Sequence, residues 1–193
     1  YGANELLENL VQVDYTSKRV VVIGGGGVSI DMARTAIKEG ASEVGIIYRR
    51  SRSEMSAEMN DIRAAKKEGI KFLFQTNVIK VIGEDKVTGI ECVKTTLDKE
   101  KKAINVEGSN FVIDTDVVIM AVGSRADSEL LESFKLDVKE NGYLMVNSNN
   151  QTSNPKIFAA GDLTGAKSTV AWACRNGRDT AYSIMKFLSK EGE

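Results

Sequence analysis

The apolar run Val20-Val21-Val22-Ile23 empties into four consecutive glycines, Gly24-Gly25-Gly26-Gly27, and then into a stretch, 28–39, whose apolar and small residues recur at helical spacing. A strand, a glycine turn and a helix start in that order bring bare backbone up to a pyrophosphate. Gly24 permits the sharp turn, and Gly26 removes the side chain where the phosphates approach. Gly25, Gly27 and Val28 supply the rest of the backbone cradle. Ser29 stands where the third glycine or alanine of G-x-G-x-x-G/A would be, so the helix can pack close to the strand. A glycine run alone is equally compatible with a plain loop; the surrounding pattern separates the two. Met32, Ala33, Ala36 and Ile37 follow helical spacing, Gly40 closes the helix, and Val44-Gly45-Ile46-Ile47-Tyr48 gives a second strand, completing a βαβ unit.

The end of that second strand decides which dinucleotide is preferred. A carboxylate there takes a ribose 2′-hydroxyl, whereas arginine attracts a 2′-phosphate. This chain carries Tyr48-Arg49-Arg50-Ser51-Arg52, with no acid before Glu54. The guanidinium groups of Arg49 and Arg50 offer planar, forked donors that suit a phosphate, so NADPH is expected over NADH. The competing reading is a solvated basic turn. A second site is expected at Ile157-Phe158-Ala159-Ala160-Gly161-Asp162, where a buried strand would end, Gly161 would turn the chain close to a ligand, and Asp162 would accept from a sugar-like hydroxyl. Here the plainer reading is a strand–turn–helix connection with Asp162 as a turn residue.

The elements that must position these residues are legible in outline. Residues 3–11 are expected as an amphipathic helix, 54–67 as a second crossover helix and 71–74 as a third strand. Segments 76–82, 87–96, 103–106 and 110–113 have the character of short antiparallel strands, with 98–102 as a solvated hairpin tip. Residues 117–122 form a buried strand ending at Gly123, with 126–134 helical beyond it. A long helix is expected over 168–189, with an apolar stripe through Val170, Cys174, Gly177, Ala181, Ile184 or Met185, and Leu188. Asp31 and Arg34 on the first crossover helix are explained by the helix dipole and by a nearby carboxylate.

Composition narrows the chemistry. Apolar content of 42% supports a core, and a net charge of −1 without a basic face argues against nucleic acid as partner. No uncharged apolar run is long enough to span a membrane. The chain has no histidine, which removes histidine triads and the usual neutral-pH base. Cys92 and Cys174 form no C-x-x-C and are expected as small buried groups in a reducing, cytoplasmic compartment. Hydride transfer between two cofactors needs no protein acid or base, so it fits this inventory. The first residue is Tyr1, and no signal peptide is expected.

Several stretches, taken in order, resemble the C-terminal half of the glutamate synthase small (beta) subunit family, two-dinucleotide-binding flavoproteins. They are Val22-Ile23-Gly24-Gly25-Gly26 with Asp31 and Arg34, Tyr48-Arg49-Arg50 with Glu54-Met55, Ala121-Val122-Gly123, Phe158-Ala159-Ala160-Gly161-Asp162, and Asn176-Gly177-Arg178 with Ala181. The resemblance implies an NADPH domain inserted into an FAD domain. It places Ala121, Val122 and Gly123 near the nicotinamide end, Asp162 on the FAD ribityl chain, and the backbone around Thr169 and Val170 near the flavin ring. The family's first glycine fingerprint for FAD and its iron–sulfur cysteines lie N-terminal to the matching region and are not in this chain. Gly27 and Ser56 depart from the asparagine and proline that relatives often carry.

The resulting expectation is an α/β chain. It comprises an N-terminal helix and linker over 1–17, a Rossmann-like, mainly parallel sheet with an antiparallel meander over 18–124, and the C-terminal segment of an incomplete FAD-binding domain over 125–193, ending in a long helix. In the parent protein NADPH would reduce FAD, and iron–sulfur clusters in the remaining N-terminal half would pass electrons onward, toward a large amidotransferase or a ferredoxin-linked subunit. The FAD site in this chain would be partial, the isolated chain inactive, and the open helix face buried in a homodimer or against the NADP module. An NADH- or ferredoxin-linked reductase of the same architecture and a non-catalytic dinucleotide sensor are the alternatives.

Overall fold

Strand residues that are apolar at every position need cover on both faces, and the first strand, β1 (Arg19–Ile23), receives it. The structure, a computed structural model, describes residues 1–123 and 128–191. It forms two compact units, 1–123 and 124–193. In the first unit a parallel sheet runs in the order β3 (Lys71–Phe74), β2 (Glu43–Tyr48), β1, β8 (Val117–Met120). Val20 and Val22, with Val44, Ile46 and Ile119, pack against α2 (Gly27–Lys38) through Ile30, Ala33 and Ala36, and against α3 (Met59–Lys67) through Ile62 and Ala65. The alternate residues Val21, Ile47 and Val118 face the opposite way and meet Ile90 and Cys92.

That second cover is an antiparallel sheet. β5 (Gly89–Leu97) pairs with β4 (Thr76–Ile82) on one side, and with β6 (Ala103–Asn105) and β7 (Phe111–Asp114) on the other. The unit is therefore helices, parallel sheet and antiparallel sheet in three layers. The chain leaves β1 toward β2 and β3 and returns to β8 on the other flank. The strand order reverses beside β1, which is where open α/β sheets place their ligands, at the C-terminal strand ends.

The N-terminal segment belongs to this core. α1 (Ala3–Leu7) buries Ala3 and Leu6, and the chain before it runs along β8: the Tyr1 ammonium donates to the Val118 carbonyl at 3.1 Å and Met120 N–H donates to Tyr1 at 2.8 Å. The helix expected over 3–11 stops early because Asn9 adopts a left-handed φ of 57°, which leaves Leu10 exposed. The second crossover helix likewise starts later than 54, after a single 3-10 turn at Arg52–Glu54. The strand expected over 117–122 ends at Met120.

The second unit contains α4 (Ser128–Ser133), isolated bridges Val138↔Leu144 and Gln151↔Phe158, a 3-10 turn at Gly161–Thr164, and α5 (Val170–Glu191). The start of the helix expected over 126–134 lies outside the described residues. The strand expected at 157–160 does not form. Its one partner is Gln151, so there is no ladder to join. The side of α5 that is partly covered carries Asn176, Asp179, Thr180, Ser183, Ile184 and Phe187. Asn150 donates to Thr180 Oγ1 at 2.9 Å, and Phe158 meets Phe187 edge-on at 5.7 Å. Of the expected apolar stripe, Ile184 lies on this covered side, while the rest is turned away, with Val170 82% and Met185 65% exposed.

At the start of the parallel sheet, Asp116 locks β8 to β1. Its carboxylate accepts Arg19 N–H at 2.9 Å, Nε at 3.1 Å and a terminal guanidinium nitrogen at 2.9 Å. The buried Thr115 hydroxyl donates to the Arg19 carbonyl at 2.9 Å. The Arg19 guanidinium holds the Asp116 carboxyl well below its ordinary range. A depressed carboxyl stabilises the fold fully above its unfolded pKa, about 3.9, and this stabilisation is lost as pH falls through the folded value. D116N should be less stable than wild type at neutral pH, and the gap should shrink in acid. Denaturant unfolding of both proteins at pH 7 and pH 3 measures it.

Candidate functional site

The four glycines divide into two pairs by what surrounds them. Gly24 continues the sheet ladder, donating to the Ile47 carbonyl at 3.0 Å while Ala121 donates to Ile23 at 2.8 Å. A Cβ on Gly24 would run into the Ala121 carbonyl, and φ is 155°. A Cβ on Gly25 would strike the Tyr48 ring, which is pinned by its hydroxyl donating to the Glu54 carbonyl at 2.8 Å. These two glycines answer to the protein itself. Gly26 would meet only Ser56 Oγ at 3.6 Å, and Gly27 nothing within 4 Å. Their space opens outward, a cradle that side chains would fill. Ser29 is fully buried and donates to the Gly26 carbonyl at 2.6 Å, which closes the turn. Val28 is exposed beside it.

The helix behind the cradle keeps its anion-attracting end. The N-cap of α2 is Gly26, with no side-chain cap and no acid in the first turn. Ser29 N–H donates to the Gly26 carbonyl at 3.1 Å, and no side chain of the protein caps the N–H groups ahead of it or opposes the dipole. Arg34, two turns further along, is consumed: it forks onto Glu68 at 2.6–3.0 Å. It is a structural ion pair, as the sequence suggested.

The basic turn after β2 is held from two sides. The antiparallel sheet grips its backbone, with Thr95 Oγ1 donating to the Arg49 carbonyl at 2.7 Å and Gln75 N–H to that of Arg50 at 3.0 Å. The glycine turn grips the far end, with Ala57 N–H donating to the Gly25 carbonyl at 3.1 Å. Arg49 is exposed. Arg50 and Arg52 are half-buried, and the Nε of each is buried with no hydrogen-bond partner. A buried donor left unpaired is costly, and this turn carries two of them. Further along the turn Glu54 accepts from Ser51, from Ser53 at 2.8 Å, and pairs with Lys101 at 3.6 Å. The Ser51 hydroxyl, then that of Ser53, and the Lys101 ammonium hold its carboxyl below the ordinary value.

The structure thus gathers Gly24–Gly27, Val28, Ser29, Arg49, Arg50 and Ala121–Gly123 at the C-terminal ends of β1, β2 and β8. Val122 is exposed there, and Gly123 turns the chain at φ 97°. Gly161, Asp162, Thr169 and Val170 lie in the second unit. Gly161 opens the 3-10 turn at φ 75°, Asp162 is exposed, and Thr169 and Val170 are exposed at the start of α5. Sequence reading named Arg52 in the basic turn and Glu54 after it but missed the contacts that Thr95 and Lys101 make with this turn. Ser51-x-x-Glu54 at capping-box spacing was the available signal for the order of the turn itself. The hairpin tip at 98–102, expected as solvated, sends Lys101 back to Glu54.

Neither cysteine offers a dithiol. Burial pushes the Cys92 thiol up to about 11, Cys174 is exposed, and both are free. Among the described residues no acidic, cysteine or histidine cluster could hold a metal ion, and no helix is long and apolar enough to cross a membrane.

A Rossmann-like sheet with a glycine turn under an uncapped helix defines a dinucleotide-binding class of protein. Residues 3–181 match the family model for pyridine nucleotide-disulphide oxidoreductases, and the chain belongs to that family. It is 36% identical over 188 residues to the glutamate synthase [NADPH] small chain of Escherichia coli (strain K12), covering 91% of this chain and 40% of that protein. It is 35% identical over 178 residues to the NADP(+)-dependent formate dehydrogenase subunit beta of Moorella thermoacetica, covering 89% of this chain and 25% of the relative. The chain therefore spans well under half the length of these relatives. Among solved structures, T. acidophilum thioredoxin reductase superposes with a TM-score of 0.72 at 28% identity, over 91% of this chain and 54% of that one. Mycobacterium tuberculosis FprA in complex with NADPH gives 0.75 at 18% identity, over 93% and 55%, a likeness of fold. The resemblance to the glutamate synthase small-chain family, read from the sequence, is borne out.

The two glycine pairs should separate on mutation. G24A should destabilise the protein by about 2 kcal/mol or more, because a backbone carbonyl cannot yield as a side chain would. G27A should stay within about 0.5 kcal/mol of wild type. Urea unfolding of the two variants is the measurement, and equal losses would contradict this division.

Proposed function

We propose that this chain is the NADPH-binding part of a flavin-dependent oxidoreductase in which hydride passes from NADPH to FAD and electrons continue to a separate acceptor. The observation that carries the reading is the pair of buried, unpartnered Nε donors on Arg50 and Arg52. They sit on a turn tied through the Gly25 carbonyl to an open glycine cradle. In this reading Gly26, Gly27 and the first N–H groups of α2 bind the pyrophosphate. Arg50 and Arg52 hold the 2′-phosphate, and the exposed Arg49 adds a cation facing solvent. Tyr48, packed on Gly25, sets the wall between the two. Ala121, Val122 and Gly123 lie toward the nicotinamide end. NADPH, when bound, supplies the hydride, and a flavin supplies its acceptor. The residues of this chain bind and orient, and none is assigned to proton transfer.

The nucleotide module is assigned to residues 18–124 and the flavin-domain segment to 125–193. Asp162 and the backbone at Thr169 and Val170 are assigned to FAD by the family resemblance. The relatives are named as a small chain and a subunit beta, which supports a longer parent with partner subunits. Iron–sulfur centres in that parent, an amidotransferase or ferredoxin-linked partner, and a cytoplasmic location complete the reading.

Side-by-side calorimetric titration of NADPH and NADH, with a visible spectrum of the same sample for flavin, tests the assignment. R50A and R52A should each weaken NADPH binding by about 1–3 kcal/mol, the worth of a charge-assisted hydrogen bond, and leave NADH nearly unchanged. Equal losses for both nucleotides would contradict the phosphate role.

A further inference from the structure

The hairpin tip between β5 and β6 is built to aim one side chain. The Asp98 carboxylate accepts the backbone N–H groups of Glu100 and Lys102, each at 2.8 Å, and the Asp98 carbonyl accepts that of Lys101 at 3.0 Å. Lys101 is thereby held at φ 60°, in a left-handed conformation uncommon for a lysine. Lys102 stays within the tip, paired with Glu100 at 2.6 Å. Lys101 instead crosses to the parallel sheet's basic turn, where its Nζ lies 3.6 Å from Glu54. The Glu54 side chain is only 9% exposed and is fixed by the Ser51 and Ser53 hydroxyls, so the ammonium is seated on a rigid carboxylate. The same turn carries the unpartnered Nε donors of Arg50 and Arg52.

We propose that Lys101 is a further cation of the adenosine 2′-phosphate subsite, delivered by the antiparallel sheet and positioned by Glu54. The inference rests on the NADPH reading given above. An ammonium has three donors. The 3.6 Å contact with Glu54 is an ion pair, which leaves Lys101 able to donate to a phosphate oxygen without leaving its seat. The Lys101 ammonium offsets the charge of Glu54 and two serine hydroxyls solvate it, so it orders the turn without presenting a bare negative charge to the ligand. Arg49, Arg50, Arg52 and Lys101 outweigh Glu54 by three charges, a surplus suited to a phosphate monoester carrying about −1.5 to −2 at pH 7. Lys101 is thus a specificity-determining residue and Glu54 a positioning residue.

The test is equilibrium titration of the 193-residue chain with NADPH, NADH and 2′,5′-ADP, for wild type, K101A, K101R and K102A. K101A should weaken NADPH and 2′,5′-ADP by about 5- to 20-fold and leave NADH within about twofold. K101R should retain most of the affinity. K102A removes the same charge from the adjacent position and should behave as wild type. The slope of log Kd against log salt for NADPH should be shallower in K101A alone. If wild type prefers NADPH and K101A binds it as wild type or as K102A does, the role of Lys101 is overturned and the NADPH reading stands. A K101A variant that loses NADPH and NADH equally also overturns it, by assigning Lys101 to the fold of the turn. If wild type binds NADH as well as NADPH, or neither, the underlying reading fails and the inference goes with it.

Discussion

The structure depends on one steric constraint: β1 has a strand on each side and a covering layer on each face. Neighbouring strands lie roughly 4.8 Å apart, so the residue that ends β1 has backbone close on both flanks. Gly24 is still bonded to Ile47 on one side and lies against the Ala121 carbonyl on the other. A side chain has nowhere to go until the chain has climbed out of the sheet, which it has done by Gly26 and Gly27. The crowding that forbids side chains at the first glycine also forces the next helix to begin at the edge of the reversal in strand order. The cradle is thus a consequence of holding β1 between two strands.

Charge is distributed with the same economy. Arg19 is forked onto Asp116, and Arg34 onto Glu68. Both pairs join elements that are far apart in sequence, and both satisfy the guanidinium from within the protein. On the basic turn Glu54 is given to two serines and a lysine, and the Nε groups of Arg50 and Arg52 have no partner in the protein. A basic turn that was merely solvated would have its nitrogens in water, whereas here each Nε is out of solvent.

What was legible in the sequence was what short-range pattern fixes. The runs Val20–Ile23 and Val44–Tyr48 can be buried on both faces only as central strands, and the glycines between them and α2 admit few conformations. The hold on the basic turn was not legible, because it is made by Thr95, Gln75 and Lys101, which reach the turn through the fold and not along the chain. Residues 157–160 have strand composition, but composition supplies no neighbour, and with one bridge to Gln151 there is no sheet. α5 shows the converse. Its apolar spacing is real, but Asn150 and Phe158 dock on a different side, so periodicity gave the helix and not the face that is covered.

The antiparallel sheet therefore does two jobs that cannot be separated. Ile90 and Cys92 on β5 fill the second face of the parallel sheet, and Thr95, three residues further along the same strand, holds the Arg49 carbonyl. The strand then runs on to the tip that aims Lys101. A loosening of β5 would move the basic turn before it moved the glycine cradle, because the cradle is fixed by the parallel strands and by Ser29. On the proposed reading, the βαβ unit alone meets the pyrophosphate, while the 2′ position is met by the turn after β2 with the meander behind it. A change in the meander would then tune a preference that Arg50 and Arg52 set, with the glycine cradle left intact.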